Sequence, residues 1–196
     1  GVAKVSVRRQ PRVAVLVPSH HEGAALIDTV RTLIGQDYAG PVSIYVLVES
    51  AKDSSVDALR GAFSGRRVED AGACEVLLET PLREVRLVTT GHRGKHAKLN
   101  FALDRFSAEF FALLDADHRA VGTWLSSALT TLELTGAAVV QCRKMPLTTG
   151  RLGQVWDALL SHTAFELLNR AQWALFGHVY FTGSTAVFRA GTLKTT

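Results

Sequence analysis

Short apolar runs alternate with longer amphipathic stretches along the chain. Continuous apolar runs of strand length indicate strands buried on both faces of a mostly parallel sheet. These predicted strands cover residues 13–17, 44–48, 85–88, 110–114 and 137–140. Stretches in which apolar side chains recur three and four residues apart predict helices at 24–34, 56–63, 95–106 and 123–134. The alternation of strand and helix predicts an α/β domain with one sheet flanked by helices.

Two segments leave alternatives open. Residues 76–78, within the stretch 65–82, fit either a short strand or an ordered loop. Residues 151–176 predict one long helix that is apolar on more than one side, because Phe165, Trp173 and Phe176 fall partly off its main stripe. A helix packed on the sheet and a helix lying at a membrane interface both fit this pattern.

Composition narrows the class of protein. The 196 residues are 47% hydrophobic, which suits one globular domain and excludes a disordered or fibrous chain. A net charge of +4 suits an anionic small ligand and lacks the dense basic patch of nucleic-acid-binding proteins. The cysteines, Cys74 and Cys142, argue against a disulfide framework and favour a reducing compartment. No apolar run approaches the ~20 residues of a membrane-spanning helix.

Acidic side chains follow the predicted strands. Glu49 and Asp53 come after the second strand, and Asp115 and Asp117 after the strand 110–114. Because ligands of parallel sheets bind beyond the carboxyl ends of the strands, these carboxylates are expected at one edge. Carboxylate oxygens suit Mg²⁺ or Mn²⁺, which would hold a diphosphate. Capping of the helix 123–134 by the two aspartates is the alternative.

A glycine-rich turn supplies a second candidate. Gly91, Gly94 and Lys95 lie where a predicted strand ends and a helix begins, an arrangement that favours phosphate. The turn lacks P-loop spacing, and no Gly-x-Gly-x-x-Gly follows a strand, which argues against a dinucleotide-binding oxidoreductase. Lys98 and Arg105 are expected on a solvated helix face. The spacing of the histidines disfavours a zinc hydrolase.

Several sequence elements occur in the order of a known family. They are VAVLVPSHHE at 13–22, Gln36-Asp37-Tyr38, Gly94-Lys95 with Leu99-Asn100, Leu114-Asp115-Ala116-Asp117, and Phe181-Thr182-Gly183-Ser184 with Phe188-Arg189. In this order they resemble family 2 glycosyltransferases with the GT-A fold, especially the membrane-linked branch of cellulose and hyaluronan synthases. The resemblance covers essentially the whole chain, so residues 1–196 are expected to form a single GT-A catalytic domain.

The resemblance implies an inverting transfer of a sugar from a UDP- or GDP-linked donor to a hydroxyl of a glycan or lipid acceptor, with Mg²⁺ or Mn²⁺. The implied nucleotide-binding residues are Pro18, Ser19, His20, Glu22, Glu49, Lys95 and Asp115. Asp115 and Asp117 are the implied metal ligands. The implied acceptor-side residues are Gln141, Gly183, Ser184 and Arg189. The resemblance also implies a membrane surface as partner and a location at the cytoplasmic face of the membrane.

Two departures from the family pattern shape the expectation. Glu49-Ser50 stands where the family has Asp-Asp, so base or ribose contacts are expected to differ. The family's Thr-Glu-Asp segment, which carries the general base, should follow Arg189 but does not, so the base is expected beyond Thr196 and the chain is expected to be a C-terminally truncated fragment. A nucleotide-sugar-binding module without turnover is the main alternative, and a nucleotidyltransferase is a third.

Overall fold

The computed structural model describes residues 10–63, 65, 67–69, 73–145, 152–177, 181 and 183–193. Its strands are β1 (Val13–Pro18), β2 (Val42–Val48), β3 (Arg67–Glu69), β4 (Cys74–Glu79), β5 (Arg83–Thr89), β6 (Phe110–Leu113), β7 (Val139–Gln141) and β8 (Ala186–Arg189). Its helices are α1 (Ala25–Ile34), α2 (Ser54–Ala62), α3 (Lys95–Arg105), α4 (Trp124–Thr135), α5 (Leu152–Thr163), α6 (Arg170–Phe176) and α7 (Ala190–Leu193), with a π-helical turn at Ala164–Asn169 between α5 and α6.

The strands form one sheet in the order β3-β4-β5-β2-β1-β6-β8-β7. Its centre is parallel, because β1 pairs with both β2 and β6, and β2 pairs with β5. Antiparallel pairs extend the sheet at both edges. The α/β class is therefore confirmed, and the parallel part predicted from the apolar runs is the middle of a mixed sheet.

Burial explains why the central strands could be predicted from the sequence. Every residue of β2 is buried, and so are all residues of β1 except Pro18. The stretch with no clear prediction folds as β3 and β4, which add an antiparallel hairpin next to β5. β3 is short and largely exposed, so it carries no apolar run.

Chain contacts divide the protein into two compact units, residues 1–140 with 186–196, and residues 141–185. The second unit contains α5, the π-helical turn and α6. Large apolar side chains are exposed along these helices: Val155, Trp156, Leu159, Leu160, Leu167, Leu168, Trp173, Leu175 and Phe176. The side chain of Phe165 lies outside the described residues, as do Arg151 and Thr182. None of the described helices is both long and apolar enough to cross a membrane. The single domain expected over 1–196 stays a prediction.

Candidate active site

The carboxyl edge of the parallel strands gathers the loops that follow β1, β2, β5 and β6, as expected for a sheet of this kind. A cavity of ≈ 310 Å³ opens at this edge. It is lined by two short segments, one after β1 and one at the start of α3. The lining residues are Pro18, Ser19, His20, Glu22, Arg93, Gly94, Lys95 and Lys98. Most of the residues predicted to bind a nucleotide therefore share one cavity.

The loop after β1 is held in place by the beginning of α2. The His21 amide donates to both carboxylate oxygens of Asp53 at 3.1 Å, and the Glu22 amide donates to Ser55 Oγ at 3.1 Å. The Ser19 and Ser55 hydroxyls are 2.9 Å apart. These contacts fix the main chain of one cavity wall before any ligand arrives.

Asp53 also caps α2, because its carboxylate accepts the Ser55 amide at 2.9 Å. Burial alone would raise the pKa of Asp53, but hydrogen bonds from Ser55 and from the His21 amide outweigh it and lower the pKa. The carboxylate therefore stays ionised at neutral pH. The sequence predicts Asp53 near the acidic edge but does not predict this role.

His20, His21 and Asp53 are the one set of three metal-ligating side chains found among the described residues, with ligand atoms within 4.8 Å of one another. Asp53 and His21 are already engaged, however. Asp53 accepts main-chain N–H groups on both oxygens, and His21 Nδ1 accepts the Ser54 amide at 3.3 Å. These bonds make His21 and Asp53 a link between the β1 loop and α2.

The start of α3 forms the opposite wall of the cavity. Gly94 is the residue before the helix and has φ 86°, a left-handed conformation that favours glycine. No side chain caps the first turn of this 11-residue helix. The amide groups of such a turn attract negative charge, so this wall suits a phosphate.

Lys98 differs from its predicted position. It was expected on a solvated face, but it is 2% exposed and its Nζ donates to the Ser19 carbonyl oxygen at 2.6 Å. The sequence signal was available: Lys98 lies three residues after Lys95, beside the buried positions Leu99 and Ala102, so it shares the face that α3 buries. Arg105 is exposed, as expected.

Asp115 and Asp117 lie in the loop that follows β6. Lys95 Nζ forms an ion pair with Asp115, and His118 Nδ1 lies 3.6 Å from the other Asp115 oxygen. Asp117 is exposed. Neither aspartate caps α4, which begins at Trp124 after Thr123 without a side-chain cap. The capping alternative is therefore removed, and two accessible carboxylates remain at the carboxyl edge.

Glu49 follows β2 at the same edge, on the far side of β1 from Asp115. Its carbonyl oxygen accepts the Gly91 amide at 3.0 Å. Glu49, Asp115 and Asp117 do not form a set of three close ligands in the part of the chain that the structure describes. The three carboxylates share one edge, as expected, although β1 lies between the strand that carries Glu49 and the strand that carries the aspartates. Metal binding by Asp115 and Asp117 stays a prediction.

The residues predicted for the acceptor divide into two groups. Gln141, Gly183 and Ser184 lie in the second unit, where the Gln141 side-chain amide donates to the Ser184 carbonyl oxygen at 2.8 Å and to that of Thr185 at 3.2 Å. Ser184 is completely buried, and Gly183 has φ 82°. The structure brings Gln141 and Ser184 together, and their role toward an acceptor stays a prediction.

Arg189 requires a correction. β8 runs antiparallel to β6, so Arg189 pairs with Phe110 at the amino end of β6 and not with the end from which Asp115 follows. Its guanidinium donates to the carbonyl oxygens of Leu132 at 2.8 Å and Ala137 at 3.1 Å. Arg189 therefore fastens the end of α4 to the sheet, away from the cavity.

Comparison with known proteins defines the family. Residues 11–196 match the model of the glycosyltransferase like family 2, and the chain belongs to this family. A search of curated protein sequences found no match.

Solved structures share the fold. One is the mannosyltransferase PcManGT from Pyrobaculum calidifontis in complex with GDP-Man and Mn²⁺, which is 26% identical over 71% of this chain and 37% of its own, with a TM-score of 0.55. Another is S. aureus TarS 1-349 in complex with UDP-GlcNAc, 18% identical over 93% of this chain and 46% of its own, with a TM-score of 0.59. The fold is that of the GT-A glycosyltransferases, and the chain spans less than half the length of these proteins.

Proposed function

We propose that this chain forms the donor-binding part of a glycosyltransferase that transfers a sugar from a nucleotide diphosphate sugar to a hydroxyl group with inversion. The observation that carries the proposal is the position of Lys95, which lines the cavity and pairs with Asp115. A nucleotide in this cavity would thus have its phosphates beside the Asp115–Asp117 loop. Family membership supports the same reading.

The donor is proposed to be linked to UDP or GDP. The two similar structures support this class, since one contains GDP-Man and the other UDP-GlcNAc. Cations of the cavity, Arg93, Lys95 and Lys98, complement a diphosphate, and the turn before α3 adds its main-chain amides. Pro18 and His20 offer ring surfaces to the base and ribose.

A divalent cation, Mg²⁺ or Mn²⁺, is part of the proposal. The residues present fit such an ion, because Asp115 and Asp117 offer hard carboxylate oxygens in one loop and Asp117 is exposed. Asp117 would hold the ion directly, with Asp115 beside it. When bound, the ion would neutralise negative charge on the departing diphosphate. Lys95 would orient Asp115 through their ion pair.

The acceptor is proposed to be a glycan or a lipid, and Gln141 and Ser184 are proposed to contact it. We assign no general base among the residues of this chain. A relation to the cellulose and hyaluronan synthase branch rests on the order of the sequence elements.

Membrane association at the cytoplasmic face is proposed from the apolar surface of α5 and α6, where the side chain of Trp173 is 57% exposed. Liposome flotation tests it by comparing the wild type with Trp173→Ser. We expect the wild type to float with the vesicles and the variant to float less; absence of binding by both proteins would remove the idea.

Calorimetric titration with UDP, GDP, CDP and ADP, each with and without Mn²⁺, tests the donor proposal. We expect UDP or GDP to bind, with an affinity that Mn²⁺ strengthens. A folded chain, verified by circular dichroism, that binds none of the four would refute the proposal. Binding that is indifferent to metal would favour the alternative of a binding module without turnover.

A further inference from the structure

Lys98 is a buried cation with one partner among the residues that the structure describes. It is 2% exposed, and its single hydrogen bond, to the Ser19 carbonyl oxygen, is 2.6 Å long. Within the described part of the chain Lys98 forms no ion pair. An ammonium group carries three N–H donors, so two have no acceptor among the described residues. A buried charge without a compensating group destabilises the fold, so Lys98 is destabilising unless another group compensates its charge.

The other cations of the cavity differ from Lys98 in this respect. Lys95 is paired with Asp115, and its side chain is 35% exposed. Arg93 is exposed to solvent, which compensates its charge. Lys98 therefore holds the least compensated positive charge of the cavity lining.

The chemistry of the lining indicates what compensates Lys98. Glu22 is the single acidic residue of the lining, and it is exposed. The positive charges of the lining are those of Arg93, Lys95 and Lys98, and the first turn of α3 adds partial positive charge. A neutral carbonyl oxygen would accept a hydrogen bond from Lys98 but would leave its charge unbalanced, whereas a phosphate oxygen does both.

We propose that Lys98 is the principal ligand-binding cation of this cavity and that it contacts a phosphate oxygen of the bound nucleotide. The proposal rests on the proposed function, which supplies the nucleotide. It deepens that function by assigning the strongest phosphate contact to Lys98 and not to Lys95. Because the same chemistry is offered by a free phosphate, the site is also expected to bind inorganic diphosphate.

Calorimetry with three ligands tests this assignment: the nucleoside diphosphate that binds the wild type, the matching nucleoside, and inorganic diphosphate. The variant is Lys98→Met, which keeps the length of the side chain and removes its charge. We expect it to weaken both diphosphates at least about tenfold and to leave the nucleoside nearly unchanged. Lys52→Met is the matched control, because Lys52 is exposed and is not part of the cavity lining.

A melting curve of the ligand-free chain adds a readout that separates binding from structure. A lysine kept for binding costs stability, so Lys98→Met is expected to raise the melting temperature. A lower melting temperature together with unchanged diphosphate affinity would overturn the proposal and make Lys98 structural. Loss of nucleoside affinity with unchanged diphosphate affinity would also overturn it, since Lys98 would then contact the base.

The outcomes also separate this proposal from the proposed function. A wild type that binds nucleotide, with Lys98→Met binding equally well, refutes the role of Lys98 and leaves the donor proposal standing. A wild type that binds inorganic diphosphate through Lys98 but no nucleotide refutes the donor proposal and the nucleotide as the ligand of Lys98. If Lys98→Met does not fold, Lys98→Gln replaces it with the same expectations.

Discussion

Arg83 and Lys98 are cations at opposite ends of the parallel strands, and they differ in how many of their N–H donors have a protein acceptor. At the amino edge, the Arg83 guanidinium donates to the carbonyl oxygens of Ile34, Gln36, Tyr38, Gly40 and Leu82 at 2.5 to 3.2 Å. At the carboxyl edge, Lys98 has one carbonyl partner. A cation whose donors are all used stabilises the fold, and a cation with donors left over is available to a ligand. The number of N–H donors that have a protein acceptor therefore distinguishes Arg83, a structural cation, from Lys98, the proposed ligand-binding cation.

The largest expected effect lies on the structural side of this comparison. Arg83→Met removes the donors that hold the loop between α1 and β2, so we expect the free energy of unfolding to fall by about 3 kcal/mol. Chemical denaturation measures it. Arg83→Lys keeps the charge with fewer donors, so its free energy of unfolding should lie between those of the wild type and Arg83→Met. An Arg83→Met variant as stable as the wild type would contradict the structural role of Arg83.

On the binding side, Asp117→Asn should have the next largest effect. The change preserves shape but removes the charge that would hold a divalent ion, so we expect the Mn²⁺-dependent affinity for UDP or GDP to fall about 100-fold, about 2.7 kcal/mol. Calorimetry checks it, with Asp104→Asn, an exposed aspartate of α3, as control. Unchanged affinity and unchanged metal dependence would contradict the assignment of Asp117.

Lys95 is intermediate between Arg83 and Lys98, because it lines the cavity but already has a protein partner in Asp115. We expect Lys95→Ala to weaken a nucleoside diphosphate about tenfold, about 1.4 kcal/mol, and to leave the free nucleoside unaffected. Parallel titrations of the two ligands measure the difference. Equal losses for both would show that Lys95 does not act on phosphate.

The smallest effect concerns pH. The pKa of Asp53 is lowered in the folded chain, so its contribution to stability is present above the unfolded pKa of about 3.9 and is lost as the pH falls through the folded value. Asp53→Asn retains a good helix cap but cannot titrate. Between pH 7 and pH 3 we expect the wild type to lose more stability than Asp53→Asn.

Asp57→Asn is the control for the pH experiment, since the Asp57 side chain is 91% exposed. Equal acid sensitivity of the wild type and Asp53→Asn would mean that the contacts of Asp53 with His21 and Ser55 do not stabilise the loop.

The parallel centre of the sheet could be predicted because β1, β2 and β6 are continuous apolar runs. Placement of the cavity followed from the same runs, since their carboxyl ends locate Pro18 and, after β5, Lys95. The β3–β4 hairpin could be predicted only in part, because residues 76–78 of the buried strand β4 fit a strand or a loop and β3 is short and largely exposed.

Side-chain burial and strand direction account for the remaining differences. The neighbours Leu99 and Ala102 indicate the face that α3 buries, but the contact of Lys98 with the Ser19 carbonyl oxygen, in the loop after β1, depends on the tertiary fold. The direction of β8 is not encoded in the local motif around Arg189, and it is this direction that moves Arg189 to the amino end of β6. Both features arise from tertiary contacts.

A crystal structure of the chain with Mn²⁺ and the nucleoside diphosphate that binds it most tightly tests the central claim most directly. We expect the nucleotide in the cavity between the β1 loop and α3, with a phosphate oxygen within hydrogen-bonding distance of Lys98 Nζ and the metal on Asp117. A nucleotide bound outside this cavity, or one whose phosphates point away from both residues, would contradict it.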